Sequence, residues 1–186
     1  MDDVLVRQLN AFFNTNSVLE AADRILVVAP LLAIVCIVGL AWLREWGRSS
    51  YRRTTLVIGA SGAGGALAVN WIVGHVVIRP RPFVALPIQA IVSHAADSSF
   101  FSDHLGVAGA LTTSLLIARF RLGVLAAVLS LLLALGRVGA GVHYPSDVVV
   151  GAAPPPLTSG PGGASMVAWQ TRAGGPMPGT SMTGGS

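Results

Sequence analysis

Residues 25–43 form nineteen consecutive positions without a charged side chain. As a helix they would reach ~28 Å at ~1.5 Å per residue, close to the ~30 Å thickness of a bilayer's hydrocarbon core. Inside lipid every backbone N–H and C=O must find a partner within the protein, so a span is a helix or part of a closed barrel. An unbroken apolar run, without strand-like alternation, selects the helix. Two more runs, 55–78 and 105–118, have the same character, and a third, 122–138, is apolar until Arg137 near its end. Only 11% of the residues are charged and 53% are hydrophobic, against about 25% charged in a soluble domain. The expected fold is therefore all-α: an integral membrane helical bundle with about four full spans.

The segments between and around these runs complete the expectation. Residues 2–13 place Leu5, Leu9, Phe12 and Phe13 on one helical face, which reads as an N-terminal amphipathic helix at the membrane interface or as a lid packed on the bundle. The stretch Ser17-Val-Leu-Glu20 has the form of a capping box opening the next helix. Pro30 is expected to kink the first span, and Trp42 and Trp46 to anchor its end at the interface. The second span is rich in Gly, Ser and Ala between Gly59 and Ala66. Small residues let helices approach closely, which accounts for the run better than a phosphate loop placed at mid-membrane without lysine. Asn70 in the same span needs a polar partner on a neighbouring helix or in a site. A fifth helix is expected to start near Pro145 and to be truncated, because Pro154-Pro155-Pro156 follows within ten residues. The chain thus divides into an interfacial helix at 1–16, a membrane domain at 17–153, and a Gly/Pro/Ser/Thr-rich tail at 154–186 that reads as disordered.

Charge favours one topology, although Arg7 and Arg24 would then lie outside, and it argues against other classes. All twelve basic residues are arginine, and the net charge is +4. They gather at the ends of spans, which fits topology and phosphate binding, and no nucleic-acid partner is expected. A single cysteine, Cys36, rules out an intrachain disulfide and a thiolate zinc site. The acidic start, Met-Asp-Asp, lacks the basic region of a signal peptide. With the Arg-bearing loops 44–53 and 119–121 inside, segments 79–104 and 137–147 fall together on the outer face.

Those two outer segments carry the chemistry. RVGAGVHYPSD, residues 137–147, offers a permanently charged guanidinium fork suited to phosphate, a histidine, and a carboxylate four residues on. On a helix His143 and Asp147 would share a face. A carboxylate on one ring nitrogen would leave the other free to attack or to take a proton. The plainer alternative is an interfacial Arg, a His at a turn and an Asp opening the next helix. RPRPF at 79–83 and SFFSDH at 99–104 accompany it. His94 lies in the same outer loop with no evident partner, and His75 near the end of the second span reads as structural.

Together the three blocks resemble the type-2 phosphatidic acid phosphatase superfamily. Arg81-Pro82 matches its first block, Ser102 and His104 its second, and Arg137, His143 and Asp147 its third; the resemblance covers about 17–153. The SDH form looks most like the bacterial undecaprenyl-diphosphatase branch. The resemblance implies hydrolysis of a lipid diphosphate or monophosphate at the outer face of a bacterial plasma membrane, with undecaprenyl diphosphate preferred and phosphatidate or phosphatidylglycerol-phosphate as alternatives. It makes His143 the nucleophile, Asp147 its orienting partner and His104 the general acid, with Arg81, Arg137 and Ser102 holding the phosphoryl group. No cofactor or metal is implied, and oligomeric state is left open. The family lysine falls on Gly74, with Arg79 as the candidate substitute. Phe101 and Asp103 replace Pro and Gly of the second block, Asp103 wanting an arginine partner such as Arg79, and Gly136 replaces the Ser before Arg137. Those departures, with the short last helix, leave a non-catalytic membrane scaffold as the opposing reading.

Overall fold

The computed structural model describes residues 1–153, and the tail at 154–186 lies outside the described residues. Among the described residues the chain is helical, with no strand. The helices are α1 (Asp2–Phe13), α2 (Ser17–Leu26), α3 (Ala29–Arg44), α4 (Ser50–Val76), the short α5 (Pro82–Ala85), α6 (Asp103–Ala118), α7 (Phe120–Gly139) and α8 (Pro145–Ala152).

Three stretches are long and apolar enough to cross a membrane: Ser17–Arg44, Ser50–Val76 and Phe120–Gly139. The first comprises α2 and α3, which meet at a break where Val28 leaves helical geometry and Pro30 enters the first turn of α3. Proline has no N–H to continue the ladder and suits a first turn. The cap of α2 is Asn16, whose side chain accepts from the N–H groups of Val18 and Leu19, one residue before the expected Ser17. The fourth expected span is shorter than a full one. α6 has 16 residues, or ~24 Å, so the bundle has three full spans plus this short apolar helix.

α6 is the centre of the bundle. Ten of its residues are buried, and it packs on α3, α4, α7 and α8. The contact with α4 is close because Gly59 lies directly on Ser114, leaving no room for a Cβ. Gly64 and Gly65 have nothing within 4 Å of where a Cβ would stand, so the small-residue run packs through one face only. Outward, Leu32, Leu40, Trp71, Ile72 and Leu131 are exposed. An apolar surface this extensive is the face that lipid covers.

Helix direction sorts the connections. The α3–α4 and α6–α7 joins lie at one end, while 77–102 and 140–144 lie at the other. α1 packs on that second end, against α7 and α8. Val6, Asn10 and Phe13 are buried there, and Asn10 Nδ2 donates to the carbonyls of Gln89 (2.9 Å) and Gly139 (2.8 Å). The expected apolar face of α1 is split: Phe13 faces the bundle while Leu5 and Phe12 remain exposed.

Candidate active site

The end of α7 builds the site. Arg137 lies in its last turn, where a cation complements the unpaired carbonyls of a helix C-terminus. Gly141 follows with φ of 75°, a conformation open to glycine at little cost. The chain turns back there, and the N–H groups of Val142 and His143 both donate to the Arg137 carbonyl at 3.3 Å. The five-residue gap between Arg137 and His143 is therefore one helix end plus one return turn. It sets Arg137 Nη2 2.9 Å from His143 Nε2.

A second guanidinium reaches the same nitrogen. Arg81, at the start of α5, places Nη1 3.4 Å from His143 Nε2 and donates to the Val142 carbonyl at 2.9 Å. Its Nε donates to Asp97 at 2.8 Å. The far ring nitrogen of His143, Nδ1, lies 2.9 Å from the Ser99 carbonyl. A carbonyl only accepts, so Nδ1 carries the hydrogen and Nε2 keeps its lone pair. Burial, then the positive charges of Arg137 and Arg81, hold the His143 pKa well below the ordinary imidazole value. The ring is neutral and its lone pair faces two cations.

These groups line a cavity of about 450 Å³ with His104, on the first turn of α6, and with Asn70, Asp103, Phe100 and Phe101. Asn70 secures the entry to α6: its Nδ2 donates to Asp103 Oδ1 and its Oδ1 accepts from the Phe101 N–H at 3.1 Å. Asp103, expected to need an arginine, is held by this amide instead. His75 and His94 also line the cavity, so all four histidines of the chain converge on it. His75 Nδ1 is taken up by the Trp71 carbonyl at 2.6 Å. His94 Nδ1 stands 3.9 Å from Asp97 Oδ1, giving it the partner the sequence did not reveal.

Three expected site residues stand elsewhere. Asp147 does not touch His143. The shared helical face required both on one helix, but α8 begins at Pro145, after the histidine. Asp147 instead turns back as an N-terminal cap, its Oδ2 accepting from the Tyr144 N–H at 3.0 Å, while Oδ1 pairs with Arg79. Arg79 thereby points away from the cavity. It also pairs with Asp2 at 3.1 Å, donates to Ser146 Oγ at 2.8 Å and lies over the Tyr144 ring at 4.1 Å. The buried Asp147 carboxylate requires a counter-charge, which Arg79 supplies, so it does not replace the lysine missing at Gly74. Ser102 is fully buried, its hydroxyl has no hydrogen-bond partner, and it is not part of the cavity wall. The Ser99 carbonyl and Asp97, which sequence reasoning passed over, take their places around His143 and Arg81. A main-chain acceptor leaves no signature in the residue type.

Known proteins share this arrangement of helices. A family model described as the PAP2 superfamily matches residues 54–153. Undecaprenyl-diphosphatase BcrC of Bacillus subtilis (strain 168) is 31% identical over 149 residues, covering 80% of this chain and 76% of that protein. The putative undecaprenyl-diphosphatase YbjG of Escherichia coli (strain K12) is 37% identical over 131 residues, covering 70% of this chain and 62% of that protein. Among solved structures, LpxE of Aquifex aeolicus superposes with a TM-score of 0.60 at 18% identity, covering 80% of this chain and 86% of that one. The PAP2-type phosphatidylglycerolphosphate phosphatase from Bacillus subtilis gives 0.59 at 19% identity, covering 81% and 77%. Those two share the fold; the family rests on the sequence matches, and the family model spans all the cavity-lining residues, which run from Leu67 to His143. By these matches this chain belongs to the PAP2 superfamily and is a membrane phosphatase.

Proposed function

We propose that the chain hydrolyses a polyprenyl diphosphate, undecaprenyl diphosphate by preference, to the monophosphate and inorganic phosphate at the outer face of a bacterial plasma membrane. The observation that carries the reading is the meeting of Arg81 and Arg137 at the Nε2 lone pair of His143. Phosphoryl transfer depends chiefly on placing cations around the transferred oxygens and aligning the nucleophile. A phosphoryl group bridging both guanidinium groups would bring its phosphorus against Nε2. The diphosphatase relatives support the lipid diphosphate as substrate, and the outward placement follows if the Arg-bearing loops 44–53 and 119–121 are assigned to the inside by their charge.

In the first step Nε2 attacks the terminal phosphorus, and the bond to the bridging oxygen breaks with its electron pair. Polyprenyl monophosphate leaves, with His104 giving a proton to the departing oxygen when protonated. In the second step water attacks phosphohistidine, delivering a proton to His104, and the N–P bond breaks to release phosphate. Arg81 and Arg137 hold the oxygens through both steps. Asp147 serves by fixing the Tyr144 backbone beside the nucleophile, and by holding Arg79. By this chemistry the enzyme would return a lipid carrier to use in cell-wall synthesis.

The test is phosphate release by the detergent-solubilised chain, with undecaprenyl diphosphate, phosphatidate and phosphatidylglycerol-phosphate offered in competition. The diphosphate should have the highest kcat/KM, and His143→Ala should abolish release from all three. Retained release in that variant would refute the mechanism, and preference for either glycerolipid would refute the substrate.

A further inference from the structure

The other end of the bundle holds a second cavity that the phosphatase chemistry leaves unexplained. It measures about 430 Å³ and is formed where α3, α4, α6 and α7 meet. Arg44, Arg52, Arg119 and Arg121 line it beside Phe120 and Leu122. It is separated from the His143 cavity by the length of α6, 16 residues or ~24 Å. One carboxylate answers these four cations. Glu45, 1% exposed, pairs with Arg119 and, at 3.6 Å, with Arg52. Arg44 and Arg121 have no carboxylate partner among the described residues.

Other arginines nearby are used differently. Arg53 lies over the rings of Trp42 and Trp46, 4.3 Å from the latter. Arg48 is exposed on the same connection but does not line the cavity. Charge that served topology alone would need no cavity and no buried acid to arrange it. Glu45 holds Arg119 and Arg52 on one wall, leaving Arg44 and Arg121 to face an incoming anion. Phe120 stands exposed at the rim, on a helix long and apolar enough to span the membrane.

We propose that this cavity binds the phosphodiester headgroup of an anionic phospholipid. Guanidinium forks match phosphate oxygens in pairs, and basic pockets between spans at a membrane surface suit such headgroups. The apolar rim gives acyl chains a continuous path to the lipid-facing side, which a soluble phosphate would not use.

The experiment is native mass spectrometry of the full chain in neutral detergent, titrated with phosphatidylglycerol or phosphatidylcholine. The wild-type chain should retain phosphatidylglycerol in preference. Arg44→Gln combined with Arg121→Gln should weaken that retention about tenfold or more, from two lost cation contacts. Arg48→Gln, which removes equal charge per residue outside the cavity, should change it less than about twofold. Phosphate release in detergent should be unchanged in all these variants, since none touches the catalytic cavity. Equal retention of both lipids would overturn the proposal, as would an equal loss in Arg48→Gln, which would mean diffuse surface charge. Displacement of phosphatidylglycerol by millimolar inorganic phosphate would also overturn it, assigning the cavity to a soluble anion.

Discussion

His143 Nδ1 lies 2.9 Å from the main-chain carbonyl of Ser99, 44 residues earlier in the chain. This contact, rather than a carboxylate, sets the tautomer of the ring on which the proposed chemistry depends. A carbonyl cannot be removed by changing a side chain, so the orientation of His143 is tied to the path of the loop at 77–102. Ser99 is itself pinned by its N–H, which donates to the Arg79 carbonyl at 2.9 Å.

The first prediction concerns pH. Burial and then the charges of Arg137 and Arg81 lower the pKa of His143 well below its ordinary value. Attack needs the neutral ring. A lowered pKa keeps the ring neutral as pH falls, so this group should cost no kcat/KM until the pH is below ~6.5. Arg137→Gln removes one of the two cations, raises the pKa and moves the acid limb upward towards ~6.5. The kcat/KM profiles of both proteins check this. An acid limb that stays put or moves down in the variant would sink the assignment.

Arg137→Lys should fail to restore what Arg137→Gln loses. The guanidinium reaches Nε2 at 2.9 Å from the last turn of α7 and is 3% exposed. An ammonium is a point charge without a fork and is harder to desolvate. Loss of one positioned donor to a phosphoryl group should lower kcat by about 10²–10³-fold. Steady-state phosphate release from folded protein is the measurement, and wild-type kcat in the Lys variant would contradict the role.

Arg79→Gln should behave like Asp147→Asn and unlike Arg137→Gln. Both residues belong to the network joining Asp2, Ser146 and the Tyr144 backbone. Each variant should lower the thermal midpoint and slow kcat by roughly tenfold through a displaced His143 loop, with KM changed less than about threefold, since neither group meets the phosphate. A large rise in KM with kcat unchanged in Arg79→Gln would return that arginine to the phosphate site.

Much of this was legible in the residues. Three full spans followed from long apolar runs, and the arginine–histidine spacing of 137 and 143 is what one helix end and a glycine turn require. Arg81 and His104 reach the cavity because segments 79–104 and 137–147 lie at the same end. The parts that misled depend on partners remote in sequence. Asp147 was read onto His143 by an i, i+4 rule that holds only inside a helix, and Pro145 starts that helix too late. Arg79 was read as a phosphate ligand because Asp2, 77 residues away, belongs to a helix whose docking the sequence left open. α6 fell short of a full span because it is wrapped by protein on most sides, and its length answers to neighbours more than to lipid.

The packing of α4 on α6 gives a prediction that does not involve catalysis. A Cβ at Gly59 would collide with the Ser114 side chain, whereas one at Gly64 meets nothing within 4 Å. Gly59→Val should destabilise the bundle by about 1–3 kcal/mol through overpacking. Gly64→Ala should leave the thermal midpoint in detergent unchanged or slightly raised, since alanine is the better helix former. Equal destabilisation by both would mean that the second face of the run is also packed.

The last prediction separates the two histidines. His143 is 2% exposed with its Nε2 against two guanidinium groups, whereas His104 stands half-buried on the cavity wall. If Nε2 attacks, His143→Ala removes the attacking atom, and no phosphoenzyme forms with any substrate. If His104 protonates the leaving oxygen, His104→Ala keeps the attacking atom and slows departure, by about 10²–10⁴-fold with a lipid leaving group. An aryl phosphate expels a more stable anion and needs less proton donation. It should therefore recover most of the first step in His104→Ala and nothing in His143→Ala. The second step still needs His104 to activate water, so phosphoenzyme should accumulate in that variant. Alkaline quench, which preserves the N–P bond, followed by counting of labelled phosphate on the protein, reads both outcomes. Label on His143→Ala at the wild-type level would show that another atom attacks. No gain from the aryl phosphate in His104→Ala would show that His104 is not the acid.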